Sequence, residues 1–272
     1  MECINDLIDS YTFHTVNADI PNMNPVYKTL LGNRQKLDEI STQLPLNFPE
    51  HLEDILGAGN PPSKEFFLTL PTLDDVAEKN KIRGIYAILF EKDGAMSKVY
   101  RGSGTCAKQG LHSRFRCYDD NTSSSNVPQL VQGALADGYK ITAHRVLCWC
   151  VIPDVKLIPI ARYKMIGVEA VFAYILFAFR LKPDENHQWT TWWPWSWNEV
   201  VGWKPLCSHT AVREKPRGNW EMTPEELTNY EASAKDRSYN YMTTRDIGAR
   251  YAMRHLQERH ISQTIAIRSQ GI

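Results

Sequence analysis

The 272 residues carry 31 Lys plus Arg against 31 Asp plus Glu, a formally neutral chain with 43% hydrophobic residues. That composition excludes intrinsic disorder and a collagen-like repeat, and the length admits one large domain or a core with additions. Neutrality conceals a segregation: residues 1–80 hold 5 Lys/Arg against 13 Asp/Glu, residues 81–182 hold 15 against 7, and residues 183–272 hold 11 against 11. Proteins that bind polyanions concentrate positive charge where the polyanion lies. No basic, then apolar, stretch opens the chain, since Met1 to Asp9 already carries charge. The longest apolar run, Ile166 to Phe179, contains Glu169 and is too short to cross a bilayer. These features predict an intracellular protein, nuclear or cytoplasmic, not secreted and without a membrane partner.

Three regions follow. An acidic, mainly helical extension occupies 1–80, a core 81–182, and a Trp-rich segment with a helical C-terminal region 183–272. Residues 1–20 show no clear period. Pro25 to Leu44 reads as one helix, with Leu30, Leu31, Leu37 and Ile40 at helical spacing. PEHLEDIL reads as a short helix ending at Gly57, KEFFLTL as a strand, and Thr72 as the cap of a helix over LDDVAEKN. The extension reads as a packing subdomain or as a lid that mimics nucleic acid.

In the core, RGIYAILFE and SKVYRGSG flank the turn-prone KDGAM and predict a β-hairpin whose first strand ends near Glu91. Alternation along the strands lets Tyr86 and Tyr100 project from one face if the strands pair. Gly102 and Gly104 permit a tight backbone turn. LHSRFRCY then has helical spacing, with Arg114 and Tyr118 four apart on one side. A polar loop follows, then a helix over VPQLVQGALADG closed by Gly138, and a third strand over YKITAHRVLCWCVI. Pro159 opens a helix carrying Glu169 in an apolar stripe. A carboxylate there needs a compensating partner, and a divalent cation is a natural one for a hard oxygen.

These residues resemble the GIY-YIG endonuclease family. Gly84, Ile85 and Tyr86 match its first motif; Tyr100, Arg101 and Gly102 its second; Leu111 and Arg114 its Leu-x-x-Arg. Tyr118 falls where members carry His or Tyr one turn later, and Glu169 is the candidate for the catalytic Glu of a later helix. The resemblance covers roughly residues 82 to 182. It implies an α+β fold with a small three-stranded antiparallel sheet flanked by helices, to which the sequence pattern adds mostly helical N- and C-terminal extensions.

It also implies phosphodiester hydrolysis in nucleic acid, DNA favoured over RNA, with one Mg²⁺ or Mn²⁺ held by Glu169. Arg114 would bind the scissile phosphate and its developing charge. Tyr86, its phenol lowered by nearby cations, would deprotonate the attacking water, with Tyr100 and Tyr118 orienting water and phosphate. Gly102, Arg101, Lys108 and Asn198 complete the expected substrate contacts, Asn186 competing with Asn198. Arg101 stands where the family has Ile, and is read as a phosphate contact or a solvent-facing side chain. TCAKQG makes the connection before Leu111 longer than in compact members. The alternative is a nucleic-acid-binding protein that keeps this fold without hydrolysis. The reading leaves room for a homodimer.

Six of the eight tryptophans fall between Trp189 and Trp203. They could stack on unpaired bases or pack over the Glu169 helix or an oligomer interface. Cys148 with Cys150, and Cys207 with His209, read as buried thiols or a structural zinc site. The C-terminal helices, around Ile247, Tyr251 and Leu256, read as a packing pair or a helix-turn-helix-like module.

Overall fold

The computed structural model describes residues 4–20, 22–76, 81–106, 109–119, 127–154, 157–178, 195 and 202–214. Met1–Asp154 with Ile160–Lys215 form one compact unit, and Val155–Pro159 with Pro216–Ile272 a second. Of the second, only 157–159 are described, and the expected C-terminal helices lie outside the described residues.

The first unit is α+β. Strands β1 (Ile82–Glu91), β2 (Ser97–Gly104), β3 (Lys140–Val151) and β4 (Trp203–Pro205) make one sheet in the order β3-β1-β2-β4. The hairpin pairs antiparallel with Tyr86 opposite Gly102 and Ile88 opposite Tyr100, and β3 lies antiparallel on the other side of β1. The expected three-stranded antiparallel sheet is therefore corrected to four mixed strands, because β4 joins β2 in parallel, Lys98 beside Lys204. Three residues of the Trp-rich segment are too few to show a period-2 pattern in sequence.

Both faces of β1 are buried. One is covered by α6 (Gly110–Asp119), and against the other lies α8 (Ile158–Ile175), whose Glu169 reaches Arg101 on the face of Ala87. Helix α7 (Gln129–Ala136) is closed by Gly138 at φ 87°, and leads into β3. Gly110 opens α6 at φ 47°, where any Cβ would meet the Ile82 carbonyl oxygen at 1.6 Å, so only glycine fits.

The N-terminal extension packs on α8 and on the β3 edge. Helix α1 (Ile4–Asn17) lacks a readable period because its buried positions, Ile8, Asp9, Thr12, Thr15 and Val16, mix polar with apolar residues. The single helix expected over Pro25 to Leu44 is two, α2 (Pro25–Leu31) and α3 (Arg34–Gln43). Asn33 breaks it by capping α3, its side chain accepting the Lys36 N–H at 2.9 Å. Helix α4 (Leu52–Leu56) ends at Gly57 as expected. KEFFLTL is no strand: its centre is a helical turn, α5 (Phe66–Thr69), that buries the adjacent Phe66 and Phe67 together. An alternating strand would have sent them to opposite faces. Thr72 caps a turn over 73–75, its N–H and hydroxyl both donating to Asp75 Oδ2 at 2.7 Å, and residues 77–80 of the helix expected over LDDVAEKN lie outside the described residues.

Asn47 and Trp149 exchange backbone hydrogen bonds of 2.7 and 3.0 Å, and the Pro71 carbonyl accepts the Val146 N–H beside a register shift in β3. The edge of β3 is thus covered rather than left open. Behind α8, buried Lys164 donates to Ser41 Oγ at 2.8 Å and to the Leu44 carbonyl at 3.0 Å, with Asp9 Oδ1 at 3.8 Å. Burial pushes the Lys164 ammonium down and the Asp9 carboxyl up, while each partner's charge opposes the shift. Tyr27 meets Tyr163 edge-on at 5.3 Å.

Candidate functional site

The face of the hairpin that bears Tyr86 also bears Ile88, Tyr100 and Gly102, because paired residues share a side and alternate residues repeat it. Helix α6 crosses this face. Its spacing brings Arg114, Phe115 and Tyr118 down together, and Gly104 admits it closely: a Cβ there would stand 2.6 Å from the Leu111 Cα.

Four of the anticipated residues converge. The Tyr86 and Tyr118 hydroxyls are 2.9 Å apart, and Arg114 Nε donates to the Tyr86 oxygen at 3.0 Å. The Tyr86, Tyr100 and Tyr118 rings form a triangle, with centroids 6.1 to 6.3 Å apart. The Arg114 guanidinium carbon lies 5.5 Å from the centre of the Tyr118 ring. His144 on β3, which the sequence reading passed over, joins them at 6.0 Å from Tyr118. Its signal was its pairing opposite Ile88, which only the β3 register reveals.

Gly102 is needed here for room, not for a turn. It lies inside β2, and a Cβ on it would meet Tyr86 Oη at 2.6 Å and Tyr100 Oη at 3.1 Å. Gly102→Ala is expected to force the phenols apart and lower stability by about 1–3 kcal/mol, read as a lower urea midpoint with unchanged m-value. An unshifted midpoint would show that the phenols yield freely.

The expected lowering of the Tyr86 phenol is corrected. Tyr86 is 0% exposed. Burial pushes it well above an ordinary phenol, the neighbouring Tyr118 adds to this, and Arg114 pulls the other way without prevailing. Tyr100 and Tyr118 are raised by burial as well.

Glu169 stands elsewhere. Arg101 points away from Tyr100 by strand alternation, toward α8, and its Nη1 donates to Glu169 Oε1 in a charge-assisted bond. Arg101 therefore neither faces solvent nor lies open to a phosphate: its side chain is 1% exposed and that of Glu169 12%. The phenols and the carboxylate approach β2 from its two faces. Tyr100 is raised chiefly by burial, and the charges of Tyr86 and Glu169 add to this. Pairing of β2 with β4 stops at Val99. Beyond it, Leu206 N–H donates to the Val99 carbonyl and the Cys207 thiol to that of Arg101 at 3.5 Å.

Lys108, Asn186 and Asn198 lie outside the described residues. Of the Trp-rich segment, Trp195 and Trp203 are described, and both are packing residues. Trp195 is buried, donates to the Ala58 carbonyl at 3.0 Å and stacks on Phe177. Trp203 donates to the Leu176 carbonyl at 3.0 Å and meets Phe67 edge-on. Among the described residues no group of three or more His, Cys, Asp or Glu side chains is placed to hold a metal ion. Cys148, Cys150 and Cys207 are buried thiols: burial pushes Cys150 up to about 11, and Cys148 and Cys207 are raised too.

No model of a known protein family, no curated protein and no solved structure matches this chain.

Proposed function

We propose that this chain is a GIY-YIG-type endonuclease, hydrolysing phosphodiester bonds with DNA as the favoured substrate. The observation that carries the reading is the bonded set Arg114, Tyr86 and Tyr118 beside Tyr100. Arg114 donates through Nε to Tyr86, a guanidinium is the side chain whose planar fork best matches a phosphate, and the surrounding phenols offer hydroxyls that can orient a phosphate oxygen or a water. The basic surplus of residues 81–182 agrees with a polyanionic substrate.

Glu169 is the residue that would hold the Mg²⁺ or Mn²⁺. It offers such a cation one hard oxygen, the rest of the shell falling to water and phosphate: Arg101 takes Oε1, and among the described residues Oε2 makes no hydrogen bond. When bound there, such a cation supplies a Lewis acid for the phosphate and its leaving oxygen. Arg114 would bind the phosphate and neutralise charge that develops on its oxygens. Tyr86 Oη is wholly buried, so it would receive the proton of the attacking water through Tyr118, bonded to that oxygen at 2.9 Å: Tyr118 gives its own proton to the Tyr86 phenolate and takes that of the water. For Arg114 and Glu169 to act on one phosphate, a nucleic-acid strand would have to reach them on the two faces of β2.

A tyrosine base raised by burial sets the sign of the pH dependence. The phenolate is the active form, and below its pKa the phenolate fraction grows tenfold per pH unit, so cleavage should climb with pH and show no plateau below about pH 10. A kcat/KM profile from pH 6 to 9.5 at saturating Mg²⁺ checks this. A flat profile removes the tyrosines as base.

A binding-only protein of the same fold is the second reading, favoured by the Arg101–Glu169 pair, which neutralises the carboxylate that would otherwise repel phosphate. Incubating the purified chain with branched, single-stranded and duplex DNA, with and without Mg²⁺, separates the two. Cutting only with Mg²⁺ supports the nuclease; binding without cutting supports the second reading; neither overturns both.

A further inference from the structure

Arg101 and Glu169, read from the sequence in unrelated roles, are in direct contact. Arg101 is almost wholly buried, and its guanidinium holds the oxygen Oε1 of the carboxylate assigned to the cation. Its Nε is buried without a hydrogen-bond partner among the described residues, so Glu169 is the principal anchor of the guanidinium's charge. A divalent cation approaching Oε2 would stand within a few ångströms of that fixed positive charge, in surroundings less polar than water, where like charges repel strongly.

We propose that Arg101 is a built-in competitor for the cation: it occupies Glu169 in the cation-free protein and sets a deliberately weak cation affinity. Loading then requires the guanidinium to give up part of its hold on the carboxylate. A phosphate arriving with the cation offers it a replacement anion, so cation and nucleic acid bind cooperatively. This inference rests on the reading of Glu169 as the cation's ligand. It assigns Arg101 a positioning role, acting through Glu169 and not on the reacting atoms.

The test is calorimetric titration of the full-length chain with Mn²⁺ alone, in wild type, Arg101→Met, Arg101→Lys and Glu169→Gln. Met fills a similar elongated space without charge, and Lys keeps the charge. Arg101→Met should bind Mn²⁺ at least tenfold more tightly than wild type, Arg101→Lys within about threefold of it, and Glu169→Gln should show no binding. Equal affinity in wild type and Arg101→Met, with binding lost in Glu169→Gln, overturns the inference and leaves the nuclease reading standing. Binding unchanged by Glu169→Gln, or no binding by any variant, overturns the cation assignment and the inference with it. Should Arg101→Met fail to fold by circular dichroism, Arg101→Gln decides in its place. If neither neutral variant folds, Arg101 is a structural partner of Glu169 and the inference falls.

Discussion

Glu169→Gln is expected to lower Mg²⁺-dependent DNA cleavage by roughly a hundredfold to a thousandfold, the scale on which single electrostatic contributors to a transition state are measured. Glutamine preserves shape and can still accept a hydrogen bond from Arg101, but an amide carbonyl carries no net charge and is a poor partner for a hard cation. The loss should therefore fall on the catalytic step and its cation dependence. Removing the counter-charge of a buried guanidinium also costs stability, so folding is checked by circular dichroism at the assay temperature. Raising Mg²⁺ a hundredfold should not restore the rate. Cleavage retained in this variant, with the protein folded, sinks the assignment of Glu169.

The second large effect concerns folding. Lys164→Ala removes the cation that faces Asp9 and two hydrogen bonds, to Ser41 and the Leu44 carbonyl, at the seam between α8 and the N-terminal helices. Breaking a buried pair from one side leaves the other charge stranded, at a cost of about 3–5 kcal/mol. Replacing both, Asp9→Asn with Lys164→Met, should recover much of that loss, since no ion then remains to be desolvated. Urea denaturation reads both results. A loss below about 1 kcal/mol in Lys164→Ala would mean that the extension is held by its apolar contacts alone.

Both expectations turn on residues whose environment could not be read locally. The hairpin, the helix of Arg114 and the helix of Glu169 were legible because each rests on local pattern: period-2 runs around KDGAM, and helical spacing from Leu111 to Tyr118. The first helix was hidden by polar groups on its buried side, Asp9 and Thr12 among them. KEFFLTL misled because β-forming residues say little when both neighbours are buried in one turn. Strand β4 was hidden by its brevity. Lys164, whose ammonium is satisfied by Ser41 and Leu44 more than a hundred residues away in sequence, carried no signal of burial.

The sequence by itself determined the hairpin, its two tyrosines on one face, and the helical spacing that sets Arg114 beside Tyr118, because strand and helix periods act over a few residues and need no distant partner. Only the tertiary structure decided the fate of charge. Whether Arg101 met solvent, phosphate or Glu169, and whether the phenols were lowered or raised, depended on burial and on partners brought from far along the chain, for which local pattern holds no record.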